Sequence, residues 1–231
     1  MRSPSSTRVF HGFAAGLAIM LASATGACAS VLQVRVHDTH GAPVTDAVVS
    51  LQPLDRPAPP AHDALATMDQ RNLSFVPQVL VVQTGSKVRF PNSDNVRHHV
   101  YSFSPAKRFE LKLYAGNHAS TVLFDHPGVD VLGCNIHDWM LGYVVVVDTP
   151  WFAKTGPEGV ATLEAPRGRY TLQLWDARQD PATPPAGGTV ILDGTPAQRQ
   201  YTLALHPPEL TNTAPPNLEI GLGDRAPSHA H

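Results

Sequence analysis

Apolar and polar residues alternate with a period of two over much of the chain. Leu32, Val34 and Val36 form one such run and Ala47, Val49 and Leu51 another, with a Gly41-Ala42-Pro43 turn between them. In an extended strand every second side chain faces the same way, so each run predicts a half-buried β-strand. Residues 53–64 (PLDRPAPPAHDA) break the pattern, because a Pro/Ala segment cannot supply a central strand. A denser block follows over about 67–148, with strands predicted at 73–76, 79–83, 87–91, 99–103, 120–124, 129–134 and 142–147. Gly-Ser and Asn-x-Asp turns punctuate this block, and no amphipathic helix longer than two turns is legible. After Pro150 the first pattern resumes: 159–163, a Pro166-Arg167-Gly168-Arg169 turn, then Tyr170, Leu172 and Leu174, and later Tyr201, Leu203 and Leu205.

Short strands joined by Gly- and Pro-rich turns predict an all-β protein, built as a sandwich or barrel. The expected organisation is an export signal over 1–29, the first strands of a flanking sandwich over 30–52, and a linker over 53–66. A central domain is expected over 67–149, the remainder of the flanking sandwich over 150–206, and a disordered tail over 207–231.

The first segment reads as an address. Arg2 and Arg8 precede an apolar stretch over about 13–24, no acidic residue occurs before Asp38, and Ala27-Cys28-Ala29 offers a small-x-small cleavage site. Such a stretch is too short to span a bilayer and has no stop-transfer pattern after it, so it predicts a secretory signal peptide. A lipoprotein acylated at Cys28 is the alternative, although Thr25-Gly26-Ala27 lacks the usual bulky residue upstream. The expected location is the bacterial periplasm or the exterior, with no membrane span in the mature chain. Removing 1–29 takes away two arginines and no acid, which moves the formal net charge from −2 to −4.

Composition narrows the classes further. The chain has 231 residues, enough for one or two domains, and its 22 Pro and 17 Gly suit turn-rich sandwiches better than bundles. A net charge of −2 lacks the footprint of a nucleic-acid binder. The 2 cysteines exclude a disulfide-stapled scaffold, and loss of Cys28 would leave Cys134 without a partner in an oxidising compartment.

Cys134 opens the motif Cys134-Asn135-Ile136-His137-Asp138-Trp139-Met140, which sets a thiol, an imidazole and a thioether at three-residue intervals. A lone C-x-x-H is weak. Adding Met changes the class of ion, because thiolate and thioether are soft ligands that favour copper, whereas zinc sites rarely use Met. A trigonal copper site needs one more imidazole from elsewhere in the sheet, and His98 and His99 both offer one. Taken singly, each residue has a plain structural use: Cys as a small buried hydrophobe, Met as a gap-filler, the histidines as a polar strand end.

With these residues the central block resembles the cupredoxins, the small blue-copper proteins such as plastocyanin, pseudoazurin and especially amicyanin, whose short ligand loop matches C-x-x-H-x-x-M in length. The resemblance implies a Greek-key β-sandwich holding one type 1 copper. It selects His98 as the upstream ligand, six residues after Asn92, to act with Cys134, His137 and Met140. His99 is the alternative, although His99, Tyr101 and Phe103 share one face that looks directed to the core. Phe75-Val76-Pro77, the Gly85 turn, 88–92, His126-Pro127-Gly128 and Gly142 also look like the family. PNSDNVRHHVYSFSPAKRFEL and GCNIHDWMLGYVVVVDTP resemble exported methylamine-utilisation or plastocyanin-like proteins.

Three departures stand out. The family commonly has Pro-His-Asn-Val where this chain has Arg97-His98-His99-Val100, and the missing Asn normally ties the two ligand loops together. Asp138 replaces a proline, and a carboxylate there would favour the oxidised metal. Trp139 is large enough to cover the site or to offer a docking surface. The flanks, with Gly41-Ala42-Pro43-Val44 and 166–174, resemble carboxypeptidase regulatory-like or transthyretin-like sandwiches of the immunoglobulin kind, so the copper domain is expected inserted in, or flanked by, a second small sandwich.

The resemblance implies an exported carrier of single electrons between protein redox partners, a dehydrogenase and a cytochrome or oxidase. The alternatives are periplasmic copper binding and delivery without electron transfer, or an interaction module with a vestigial site. An enzyme is not expected, because the paired His-x-His motifs of a trinuclear copper cluster and the second cysteine of a binuclear centre are both missing. Three further features weigh less: His37-Asp38-Thr39-His40 at a turn, His229 and His231 in the tail, and the basic group Lys107, Arg108 and Lys112, read first as a solvated face and, more sharply, as a dock for an acidic partner.

Overall fold

The structure, a computed structural model, describes residues 29–62, 64–115, 120–207 and 212–214. The expected signal peptide, Cys28, His229 and His231 lie outside the described residues. All regular structure among the described residues is β. The chain opens with β1 (Ala29–Asp38) and β2 (Val48–Pro53). The central block holds β3 (Leu65–Thr67), β4 (Asp69–Arg71), β5 (Ser74–Val76), β6 (Val79–Gln83), β7 (Ser86–Arg89), β8 (His98–Ser102), β9 (Phe109–Tyr114), β10 (Thr121–Phe124), β11 (Gly128–Cys134) and β12 (Leu141–Val147). It closes with β13 (Phe152–Lys154), β14 (Val160–Pro166), β15 (Gly168–Trp175), β16 (Ala186–Leu192) and β17 (Ala197–Leu203).

The first and last strands fold together. β1 lies between β14, antiparallel, and β17, parallel, and this sheet faces a second of order β13-β2-β15-β16. The alternation seen in β1 buries Leu32, Val34 and Val36 against Val49, Leu51, Leu163, Tyr170 and Leu172 in one core. Residues from both ends of the chain therefore share one hydrophobic interior, with the central block inserted between β2 and β13.

The inserted block is a second sandwich. One sheet has the order β6-β12-β11-β8-β9, with β6 parallel to β12, and the other has the order β10-β7-β3. Between them Phe75, Phe90, Val100, Phe124, Leu132 and Val144 are buried together with Cys134 and Met140. The metal-type residues thus sit at one end of a packed core, whose rigidity fixes their backbone. A smaller cluster of Val48, Val79 and Val145, with Trp175 and Tyr143 against it, joins the two sandwiches.

Strands β3, β4, β9, β13 and β16 were not legible in the sequence. β4 is Asp-Gln-Arg and carries no apolar alternation, and β16 begins Ala-Gly-Gly, which reads as a turn. Gly187 is required there: its φ is 142°, and a Cβ would collide with the carbonyl of Leu172 on β15. β16 can approach β15 only because that side chain is missing.

Of the tail expected to be disordered, residues 207 and 212–214 are described. Asn212 is buried, and its side chain bonds both backbone groups of Phe75: Oδ1 accepts from the amide at 2.9 Å and Nδ2 donates to the carbonyl at 2.9 Å. It satisfies a strand edge that would otherwise be buried and unpaired. Asn212→Ala is expected to lower stability by about 1–3 kcal/mol, measured by urea unfolding, because both Phe75 groups lose their partner.

Asp130 on β11 is fully buried. Its Oδ1 accepts the Lys107 amide at 2.8 Å, while Oδ2 has no hydrogen-bond partner among the described residues. Burial pushes its pKa up to about 6, against the smaller opposing pull of the Lys107 amide and charge. Folded protein then holds this proton more tightly than unfolded chain, where the carboxyl titrates near about 3.9. Its contribution is fully present below about pH 4 and is lost as pH rises to about 6. Asp130→Asn is therefore expected to unfold at higher denaturant than wild type above pH 6, by about 2 kcal/mol, with the advantage shrinking toward pH 4. An advantage that does not vary with pH would contradict this.

Candidate metal centre

Three elements build the site. β8 begins at His98, β11 ends at Cys134, and the loop between β11 and β12 carries His137 and leads into Met140. β11 pairs with β8 so that Cys134 lies opposite Val100 and Gly133 opposite Tyr101. This register sets the thiol beside the imidazole two residues before Val100. Gly133 lets the Tyr101 ring lie across its Cα, where a Cβ would make that ring shift.

The structure brings His98, Cys134 and His137 together, with one donor atom from each within 4.8 Å of the others. Both imidazoles turn Nδ1 toward the sulfur: His98 Nδ1 and His137 Nδ1 each lie 3.7 Å from Cys134 Sγ. The two rings are tilted at 57° with centroids 4.9 Å apart. His98 and Cys134 are buried, while His137 is half-exposed. Met140 is buried in the same core cluster as Cys134, and its amide donates to the His137 carbonyl at 3.0 Å, closing the loop into a turn.

His99 points the other way. Its Nε2 lies 2.8 Å from Glu110 Oε1, without hydrogen-bond geometry, and its ring meets the edge of Tyr101. The expectation that His99, Tyr101 and Phe103 face the core is overturned: Phe103 is exposed, Tyr101 half-exposed, and His98, Val100 and Ser102 form the buried face. The register against β11, with Cys134 opposite Val100, decides this. The apolar character of an aromatic row had pointed inward, but a sheet's outer face holds aromatics as well.

Electrostatics suit a cation. Burial opposes charge on His98, but hydrogen bonds to Cys134 and Asp94 and the charges of both outweigh it and raise its pKa. Burial likewise opposes the Cys134 thiolate, yet the His98 contact and the backbone of His99, Ile136 and His137 lower its pKa. Burial and repulsion from His98 lower that of His137, with Asp94 and Asp138 pulling the other way. A soft thiolate and two imidazoles, with the Met140 side chain in the same buried cluster as the sulfur, suit copper more than zinc, and burial keeps water from the sulfur side.

Asp94 escaped the sequence reading, and Trp139 was expected only as a cover or a docking surface. Asp94 Oδ2 lies 2.8 Å from His98 Nε2, and Trp139, whose ring centroid is 5.2 Å from that of His137, donates from Nε1 to the Leu73 carbonyl at 3.1 Å. Asp94 stands four residues before His98 inside the Asn-x-Asp turn, and that spacing was the available signal. Asn92 shapes the turn, donating from Nδ2 to the carbonyls of Val96 and Tyr114. The ligand loops meet directly where the Asn135 amide donates to the His99 carbonyl at 3.2 Å, a backbone bond that needs no particular side chain at position 99. His37 and His40 gather no third donor among the described residues, where the His98, Cys134 and His137 group is the one cluster of its kind.

No family model and no curated protein matches the chain. Several solved structures are similar to part of it. A copper-containing nitrite reductase from Thermus scotoductus SA-01 is 25% identical over 41% of this chain, with a TM-score of 0.35; the match spans 25% of that protein's length. A purple cupredoxin from Nitrosopumilus maritimus is 24% identical over 36% of this chain and 99% of its own, with a TM-score of 0.32. An oxidised amicyanin variant is 19% identical over 42% of this chain and 97% of its own, with a TM-score of 0.34. The all-β architecture stands on the strand pairing itself.

Proposed function

We propose that this chain is an exported copper protein of the cupredoxin kind, carrying single electrons through one mononuclear copper. The observation that supports this most is the meeting of His98 Nδ1, His137 Nδ1 and Cys134 Sγ at the buried end of a rigid sandwich. His98, Cys134 and His137 would hold the metal, with Met140 as a weaker fourth ligand. Copper bound there would supply a one-electron couple between Cu(I) and Cu(II). The packed strands on either side hold both histidines and the sulfur in place, which limits rearrangement between the two states. His137, the more exposed imidazole, presents its edge to a protein partner, a dehydrogenase on one side and a cytochrome or oxidase on the other. Export over residues 1–29 would place it in the periplasm or outside the cell. The proposal is for a carrier rather than an enzyme, and it leaves methylamine metabolism aside because no residue placed here selects an amine.

Adding Cu(II) to the purified mature chain tests this. An intense thiolate-to-copper band in the visible region, bleached by ascorbate and restored by a mild oxidant, is the expected result. A colourless protein that binds Cu(I) tightly would overturn electron carriage in favour of copper delivery, and failure to bind either ion would leave an interaction module.

A further inference from the structure

The turn that joins β4 to β5 touches both ligand loops at once. Its central residues, Asn72 and Leu73, have φ of 53° and 56°, a left-handed pair that joins two twisted strands tightly. Positive φ is costly for a leucine, so contacts must hold it there. Asp94 supplies them on one side: Oδ1 accepts the Asn72 amide at 2.6 Å and Oδ2 the Leu73 amide at 3.0 Å. The same Oδ2 lies 2.8 Å from His98 Nε2. On the other side the Leu73 carbonyl accepts Trp139 Nε1 at 3.1 Å, and Trp139 sits between His137 and Met140. One residue, Leu73, therefore links the upstream ligand loop through its amide to the downstream one through its carbonyl.

The chemistry of each link is directional. Both Asp94 oxygens accept backbone amides, so in neutral His98 it is Nε2–H that donates to Oδ2, and Nδ1 keeps the lone pair that faces Cys134 Sγ. An outer hydrogen bond of this kind fixes both the tautomer and the angle of a ligating ring. Trp139 has one donor, and its bond to Leu73 fixes the indole beside the His137 ring. We propose that the Asn72–Leu73 turn is a strap that seats both ligand histidines, with Asp94 and Trp139 as positioning residues for the copper. It does what a direct side-chain tie between the ligand loops would do, with a turn from outside them. The strap rests on the copper reading only where metal is measured; the tautomer of His98 is a property of the metal-free chain.

The test has two readouts. Nitrogen-15 shifts of His98 in the metal-free protein, taken well above the histidine pKa range, should show the Nε2–H tautomer alone in wild type and a mixture in Asp94→Ala. In Cu(I)-loaded protein, release to a chelator should run about 10–100-fold faster in Asp94→Ala and faster in Trp139→Phe as well. The double variant should release metal more slowly than the product of the two single effects, because both act through Leu73. Asp94→Asn, which keeps one acceptor oxygen, should recover part of the loss. If Asp94→Ala fails to fold, Trp139→Phe carries the test alone, since phenylalanine keeps an aromatic ring while removing the donor. An unchanged tautomer, or release in Trp139→Phe within twofold of wild type, would overturn the strap. Failure of wild type to bind copper would instead sink the copper reading and leave the tautomer test standing.

Discussion

Cys134→Ser is expected to abolish the visible band outright and to cost more copper affinity than any other single change. The hydroxyl of serine stays protonated at neutral pH, whereas the Cys134 thiol has its pKa lowered by His98 and three backbone groups. Without the thiolate, no sulfur-to-metal transition exists and the soft donor that suits Cu(I) is lost. The drop in Cu(I) affinity should exceed the about 10–100-fold that outer hydrogen-bond partners are worth. Stability should change little, because Cys134 is a small buried residue and serine nearly fills its volume; about 1 kcal/mol is the expected scale. Absorption spectra and chelator competition on the folded variant measure both. A band that survives would place the metal elsewhere.

Separating the adjacent histidines gives the second large effect. His98→Ala should lose the blue site, while His99→Ala should retain it. The His98 ring is fully buried between Cys134 and Asp94, so its removal opens a cavity and leaves a mostly buried carboxylate with backbone partners alone. A stability loss of about 2–4 kcal/mol is expected from the cavity and the broken contact together. His99, 14% exposed in its side chain, packs against Glu110 on the outer face with no hydrogen bond from Nε2, and its loss should cost about 1 kcal/mol, less than that of His98. Spectra of the two variants, with urea unfolding beside them, decide the point. A band retained in His98→Ala and lost in His99→Ala would overturn the assignment.

The site was unevenly legible. Cys134 and His137 announce themselves by spacing, because a short loop between two strands can return a residue three positions on to the same place, and Met140, the next in that spacing, lies in the same buried cluster as Cys134. His98 required the resemblance, since neighbouring histidines on a strand face opposite ways and composition cannot say which face is inner. Asp94, Leu73 and Trp139 were silent as a group. Their connection runs across a turn 21 residues away from Asp94 and 66 from Trp139, and it uses backbone groups that every residue possesses.

The sequence by itself determined the all-β class, the alternation that builds β1, β2, β14 and β15, and the set of soft donors around Cys134. These follow from local rules: side chains alternate along a strand, and a short loop confines its own residues. Only the tertiary structure decided that β1 and β2 share a core with β13 to β17, that His98 faces inward, and that a distant turn bridges the two ligand loops. Each of those depends on which strand lies beside which and in what register. A shift of one residue in the β8–β11 pairing would exchange His98 for His99, and no local pattern in the chain specifies that choice.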